Sequence, residues 1–139
     1  MSNSSLLPRR ALLQGASALG ALGLAPAMAF RTPLWNPSVV TNVAVIGCGR
    51  WGRTIASELH GLEGAKVVAV VDPVASRRRS ALRKAPTAMA YESLSEALAG
   101  SADIQAVVVA TPTHLHTAVV LEALAARMPV YCEAPMATS

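Results

Sequence analysis

Charge is scarce in this chain: Asp, Glu, Lys and Arg make up 14% of its 139 residues, against 53% hydrophobic residues. Such a composition excludes a disordered segment or an acidic tail and allows a sizeable buried core. Aromatic residues are scarcer still, at 4%, so that core is aliphatic. Two cysteines, Cys48 and Cys132, cannot form a disulfide framework or a zinc site of four soft ligands. The formal charge is +4, of which Arg9 and Arg10 supply +2, and residues 30–139 hold ten basic side chains against eight acidic ones. That balance argues against nucleic acid as a partner. The length suits one domain and not a two-domain enzyme, so the chain reads as a single module or as a piece of something larger.

What is present begins with an address. Residues 1–29 have a short polar start, the pair Arg9-Arg10, and then no charge from Ala11 to Phe30. Ala27-Met28-Ala29 supplies the small-x-small pattern of a cleavage site, which places the mature start at Phe30. The uncharged run is mostly Ala, Gly and Leu and gains little on entering lipid, so a permanent anchor is the weaker reading. Leu7-Pro8-Arg9-Arg10-Ala11-Leu12-Leu13-Gln14 resembles a twin-arginine signal, with Pro8 and Ala11 departing from its pattern. The resemblance implies a periplasmic protein exported folded, with cofactor loaded first and the membrane met only in transit. The alternative is a positive n-region for the general secretory route.

Residues 30–41 hold two prolines and no periodicity, the mark of an extended arm. From residue 42 to 139 the pattern is regular. Continuous aliphatic runs at Val43–Ile46, Lys66–Val71 and Ile104–Ala110 fit strands covered on both faces, with weaker strands at Ala88–Tyr91 and Val130–Cys132. Between them, Ile55, Ala56, Leu59 and Leu62 form one helical face, stopped near Gly61, and Ala118, Leu121, Leu124 and Ala125 form another. Ser93-Leu94-Ser95-Glu96 is a capping-box sequence, with Gly100 as the C-cap. Alternating strands and helices joined by right-handed crossovers predict an α/β fold, a doubly wound parallel sheet of the Rossmann type.

Gly47-Cys48-Gly49-Arg50-Trp51-Gly52 is GxGxxG between a predicted strand and a predicted helix. Gly47 can turn the chain, Gly49 lets backbone approach a pyrophosphate, and Gly52 lets the helix pack near the strand. The helix N-terminus then offers free N–H groups to the phosphates. Asp72 ends the next strand twenty residues beyond Gly52, where its carboxylate can accept bonds from the adenosine ribose hydroxyls. A carboxylate there disfavours the 2′-phosphate of NADP, so the cofactor predicted is NAD. NADP stays open, because Arg77, Arg78 and Arg79 follow closely; the other reading of that run is a solvated helix face after a Ser76 cap. Trp51 is read as packing over the adenine or pyrophosphate side of the loop.

Together, Val43–Gly52, Asp72, Ala110-Thr111-Pro112 with His116, and Val130-Tyr131-Cys132-Glu133-Ala134-Pro135 resemble the N-terminal half of the Gfo/Idh/MocA oxidoreductases. The resemblance covers nearly all of residues 42–139. It implies NAD(P) binding, a larger C-terminal α+β domain that this chain lacks, and hydride transfer to or from sugars, cyclitols and related alcohols. A homo-oligomer would form through that larger domain. With the signal and the arm, the likeness is to the glucose–fructose oxidoreductase branch. It implies that Arg50, Trp51, Thr111 and Pro112 lie beside the cofactor, that His116 lies near the nicotinamide side, and that Glu133 contacts the nicotinamide ribose. A helix-capping role is the other reading of His116.

One departure bears on activity. The family has Glu-Lys-Pro at the end of this strand, with the lysine assisting proton transfer from substrate; here the position is Ala134. Three readings follow: an NAD-dependent glycosidase-like member that likewise lacks the lysine, an oxidoreductase using another base, or a cofactor-binding chain without chemistry. No residue is assigned a catalytic role. His114 and His116 stand two apart and make a poor metal pair, so no metal is expected. Cys48 and Cys132 should lie about two strand spacings apart (~10 Å), too far for a disulfide, and are expected to be free, largely buried thiols.

Overall fold

A computed structural model describes residues 39–100 and 103–137. The predicted signal peptide and all but the last residues of the predicted arm lie outside the described residues. The elements run β1 (Thr41–Ile46), α1 (Arg50–His60), β2 (Ala65–Val71), α2 (Ala75–Leu82), β3 (Met89–Tyr91), α3 (Leu94–Ala99), β4 (Ala106–Val109), α4 (Thr113–Ala125) and β5 (Val130–Cys132). The five strands form one parallel sheet in the order β3-β2-β1-β4-β5. This is the doubly wound α/β fold expected from the alternation.

The aliphatic runs become central strands because helices cover both sides of them. Side chains alternate across a strand, so Ala44, Ile46, Val107 and Val109 pack on one face with Leu94 and Ala97 of α3 and Ala123 of α4. Val45 faces the other way, with Ala56 of α1 and Ala81 of α2. The β1–β2 register shifts between Val43 and Ala44. That irregularity is why Val67 and Val70, an odd number apart, share a face while Ala69 and Val71 take the opposite one. Full burial of a valine side chain contributes about 1.5–3 kcal/mol, and Val45, Val67, Val70, Val107 and Val109 are all buried to that degree.

Local signals hold where they are chemical. The Ser93 hydroxyl accepts from the Glu96 amide at 3.2 Å and the Glu96 carboxylate accepts from the Glu92 amide at 2.8 Å, a capping box closed one residue early, and Gly100 is the C-cap. Gly61 caps α1.

Four expectations need correction. The arm ends a residue sooner than expected, because the Thr41 N–H donates to the Gly64 carbonyl at 2.9 Å and starts β1. Helix α2 is capped by Val74 and not by Ser76, which lies inside it. The buried face of α4 is His116, Val119, Val120 and Ala123, whereas Leu121 and Leu124 are 61% and 54% exposed. Cys48 and Cys132 are free, with β4 between their strands, but Cys132 is only half-buried.

Candidate functional site

The chain winds from β1 outward to β3, then returns to β4 and winds outward the other way to β5. Where winding reverses, the carboxyl ends of β1 and β4 leave a crevice, the place where open α/β sheets take ligands. Two adjoining clefts, of about 290 and 340 Å³, open there and share Gly47, Asp72, Arg77, Thr111 and Pro112.

The glycine loop forms the floor. Gly47 has φ +94°, its N–H donates to the Val71 carbonyl at 2.7 Å, and a Cβ would stand 2.7 Å from the Ala110 carbonyl. Only glycine joins β1 to the loop under those two constraints. A Cβ on Gly52 would lie 1.7 Å from the Gly47 carbonyl oxygen, so α1 seats against the loop because a side chain is missing there. Gly49 differs: a Cβ would meet nothing of the protein within 4 Å. Its missing side chain leaves room on the open side of the loop. Helix α1 starts there without a side-chain cap and without an acidic residue in its first turn, so its first N–H groups and the positive end of its dipole are left for an anion.

Asp72 is 4% exposed and already occupied. One carboxylate oxygen accepts from the Cys48 N–H at 2.9 Å and the other from the Val74 N–H at 2.8 Å. A carboxylate has about four acceptor sites, so these two bonds fix its orientation and leave lone pairs toward the clefts that it lines. Arg77 stands 4.0 Å from it and lines both clefts. The arginine run is therefore no uniform solvated face. Arg78 donates to the Asp72 and Pro73 carbonyls at 2.7 and 3.1 Å and to Glu92 at 2.9 Å, tying the end of β2 to the turn before α3.

The remaining predicted residues divide. Arg50 and Trp51 line the cleft over the loop, where Trp51 is 54% exposed. Thr111 and Pro112 line both clefts, and the Thr111 hydroxyl is the buried side-chain oxygen without a partner among the described residues. His116 is 2% exposed, its ring nitrogens on the Pro135 and Thr111 carbonyls, so it supports the crevice from behind and takes no side-chain bond that caps α4. Glu133 bonds the Val109 carbonyl through its amide at 3.0 Å, and its side chain lines a separate apolar groove with Trp51, Ile55 and Tyr131. Its carboxylate holds the Tyr131 phenol above its ordinary range. Arg53 lines the cleft over the glycine loop and donates to the Cys48 carbonyl at 3.4 Å. Sequence reading missed it, although a basic residue one position after Gly52 is a visible signal.

Cys48 lies under the loop with no exposed surface. Burial, and then the Asp72 carboxylate, push its thiol up to about 12 from the usual 9.0. The unfolded chain releases this proton near 9 and the folded one near 12, so the folded state holds more protons between those values. The stability from this group is whole below pH 9 and is lost as pH rises toward 12. We expect alkaline unfolding in that window, moved upward in Cys48→Ala. At pH 8 iodoacetamide should label half-buried Cys132 and leave Cys48 until the protein is unfolded, as peptide mapping would show.

A parallel sheet reversing at β1 and β4, a glycine loop at the start of α1 and an acid at the end of β2 define a dinucleotide-binding protein of the doubly wound class. The chain belongs to the Gfo/Idh/MocA oxidoreductase family: the profile of that family's NAD-binding Rossmann fold matches residues 41–139. It is 42% identical over 95 residues to an inositol 2-dehydrogenase of Pseudarthrobacter chlorophenolicus, across 68% of this chain and 28% of that protein. Among solved structures it is similar to the myo-inositol dehydrogenase of Lactobacillus casei in complex with NAD(H) and myo-inositol, with TM-score 0.67 and 36% identity over 73% of this chain and 30% of that one. The WlbA dehydrogenase of Bordetella pertussis, in complex with NADH and UDP-GlcNAcA, gives 0.65 and 30% over 72% and 31%. The chain thus spans less than a third of the length of the relatives it matches.

Proposed function

We propose that this chain is the cofactor-holding part of an exported, NAD-preferring oxidoreductase that moves a hydride between the nicotinamide and a hydroxyl-bearing carbon of a sugar or cyclitol. The observation that carries the reading is Gly49. It is the one glycine of the loop whose missing side chain serves no contact within the protein, and it faces an uncapped helix start. Space and unpaired N–H groups at one point fit a pyrophosphate. NAD, when bound, supplies the hydride acceptor. The chain's own residues hold it. The loop and α1 hold the phosphates. Asp72, fixed by two backbone amides, receives the ribose hydroxyls on the β2 side. Thr111 and Pro112 line both clefts at the carboxyl end of β4.

The inositol dehydrogenases among the relatives favour a cyclitol as the substrate class. The likeness to the glucose–fructose branch rests on residues 1–41 alone. Ala134 supports a second reading, a cofactor-binding chain without turnover, since a methyl group neither takes nor gives a proton. Calorimetric titration with NAD tests the binding that both readings share, and steady nicotinamide reduction with myo-inositol or a sugar panel would favour the first. No heat of NAD binding would overturn both.

Export is read from Arg9-Arg10, the weakly hydrophobic run and Ala27-Met28-Ala29. Replacing both arginines by lysine should stop delivery to the periplasm, measured by fractionation, because the folded-protein route reads the pair itself. Delivery that survives the replacement assigns the signal to the general route.

A further inference from the structure

His116 is the largest fully buried side chain among the described residues, and its contacts are of one kind. Nδ1 lies 2.9 Å from the Pro135 carbonyl oxygen and Nε2 lies 2.7 Å from the Thr111 carbonyl oxygen. Carbonyl oxygens only accept, and a neutral imidazole has one N–H and one lone pair. The tautomer decides which of the two carbonyls receives the N–H, and the buried ring stands between both.

The two carbonyls belong to segments that follow the neighbouring strands β4 and β5. Thr111 follows β4 and lines both clefts, and Pro135 follows β5 by way of Glu133 and Ala134. Asp72 assigns the adenosine to the β2 side, so the other half of a dinucleotide extends past the switch point toward β4 and β5. We propose that His116 is a positioning residue. Its ring, lodged between the two carbonyls, clamps the Ala134–Pro135 turn to the Thr111–Pro112 loop and so sets the wall on which the nicotinamide half rests. Neither of the ring's hydrogen bonds goes to Asp72 or to the glycine loop. This inference rests on the dinucleotide reading above.

The test uses the unaltered protein and His116→Phe, each titrated with AMP and with NAD. The variant should bind NAD about tenfold more weakly, the equivalent of one or two lost hydrogen bonds, with AMP affinity changed less than about twofold. If the unaltered protein binds neither nucleotide, the dinucleotide reading fails and the clamp with it. If both nucleotides are bound and His116→Phe weakens them equally, or weakens neither, the dinucleotide reading stands and the clamp is overturned. Should His116→Phe not fold, His116→Gln, which can keep one of the two bonds, is titrated in the same way and the same outcomes decide.

Discussion

Gly52→Ala should cost the fold, and Gly49→Ala, three residues away in the same loop, should cost only the ligand. The Gly52 Cβ would stand 1.7 Å from the Gly47 oxygen and 2.9 Å from its carbonyl carbon. Those atoms cannot withdraw, because the Gly47 amide is bonded to Val71 and its other side abuts the Ala110 backbone. Overpacking a core against movable side chains costs about 1–3 kcal/mol. Against fixed backbone we expect at least the top of that range, a large share of the roughly 5–15 kcal/mol that holds a domain together. Thermal unfolding followed by circular dichroism should show a fall in Tm of ten degrees or more on the order expected for a small domain, or no transition at all. Gly49 has ordinary extended dihedrals, φ −64° and ψ −168°, and open space before it. An alanine there should leave stability within about 1 kcal/mol, since unfolded-chain entropy offsets the poorer cap. Its methyl group would stand between the loop amides and the pyrophosphate. Loss of one or two bonds to a charged group, about 1.5–3 kcal/mol each, weakens NAD by roughly tenfold to a hundredfold or more. Gly49→Ala that binds NAD as the unaltered protein does would move the phosphates away from this loop.

The contrast between those glycines shows what sequence can carry. Glycine spacing and the strand before it were legible because turn, approach and packing each demand a missing side chain at a set offset. The alternation of strands and helices was legible for a similar reason: buried parallel strands carry long aliphatic runs. Helix α4 was not. Leu115, Val119, Val120, Leu121 and Leu124 put apolar residues nearly all round it, so periodicity has no contrast from which to choose a face. The choice comes from tertiary contact, where Ala123 meets the sheet and His116 meets the segments that follow β4 and β5. Likewise nothing in three consecutive arginines reveals that Arg77 faces Asp72 while Arg78 staples two turns; helix phase and the course of the next strand decide that. Ribose recognition by Asp72 was expected from its position. Its bonds to Cys48 and Val74 were not, because they depend on two loops meeting.

Asp72→Ala should therefore do two things at once, and the measurement must separate them. Removing the carboxylate strands the buried Cys48 N–H and the half-buried Val74 N–H. An unsatisfied buried donor costs about 1–3 kcal/mol, so the variant should be less stable by roughly 2–4 kcal/mol, given that water reaches Val74. Absolute affinities for NAD and NADP will both fall with the loosened loop. Their ratio is free of that common loss and reports the charge. Two unit charges at 4 Å interact with about 4 kcal/mol at a partly screened site, so even a fraction of that repulsion gives the unaltered protein a preference for NAD of tenfold or more. In Asp72→Ala the preference should shrink to near unity or reverse. Arg77, now 4.0 Å from the carboxylate and 53% exposed, would then be free to meet a 2′-phosphate. Adding Arg77→Ala to Asp72→Ala should remove the NADP gain while leaving NAD nearly unchanged. Calorimetric titration of the three proteins with each nucleotide decides the matter. Tighter binding of NADP by the unaltered protein would mean that Arg77 and its neighbours already outweigh the acid, and the assignment of Asp72 as the residue that selects NAD would fail.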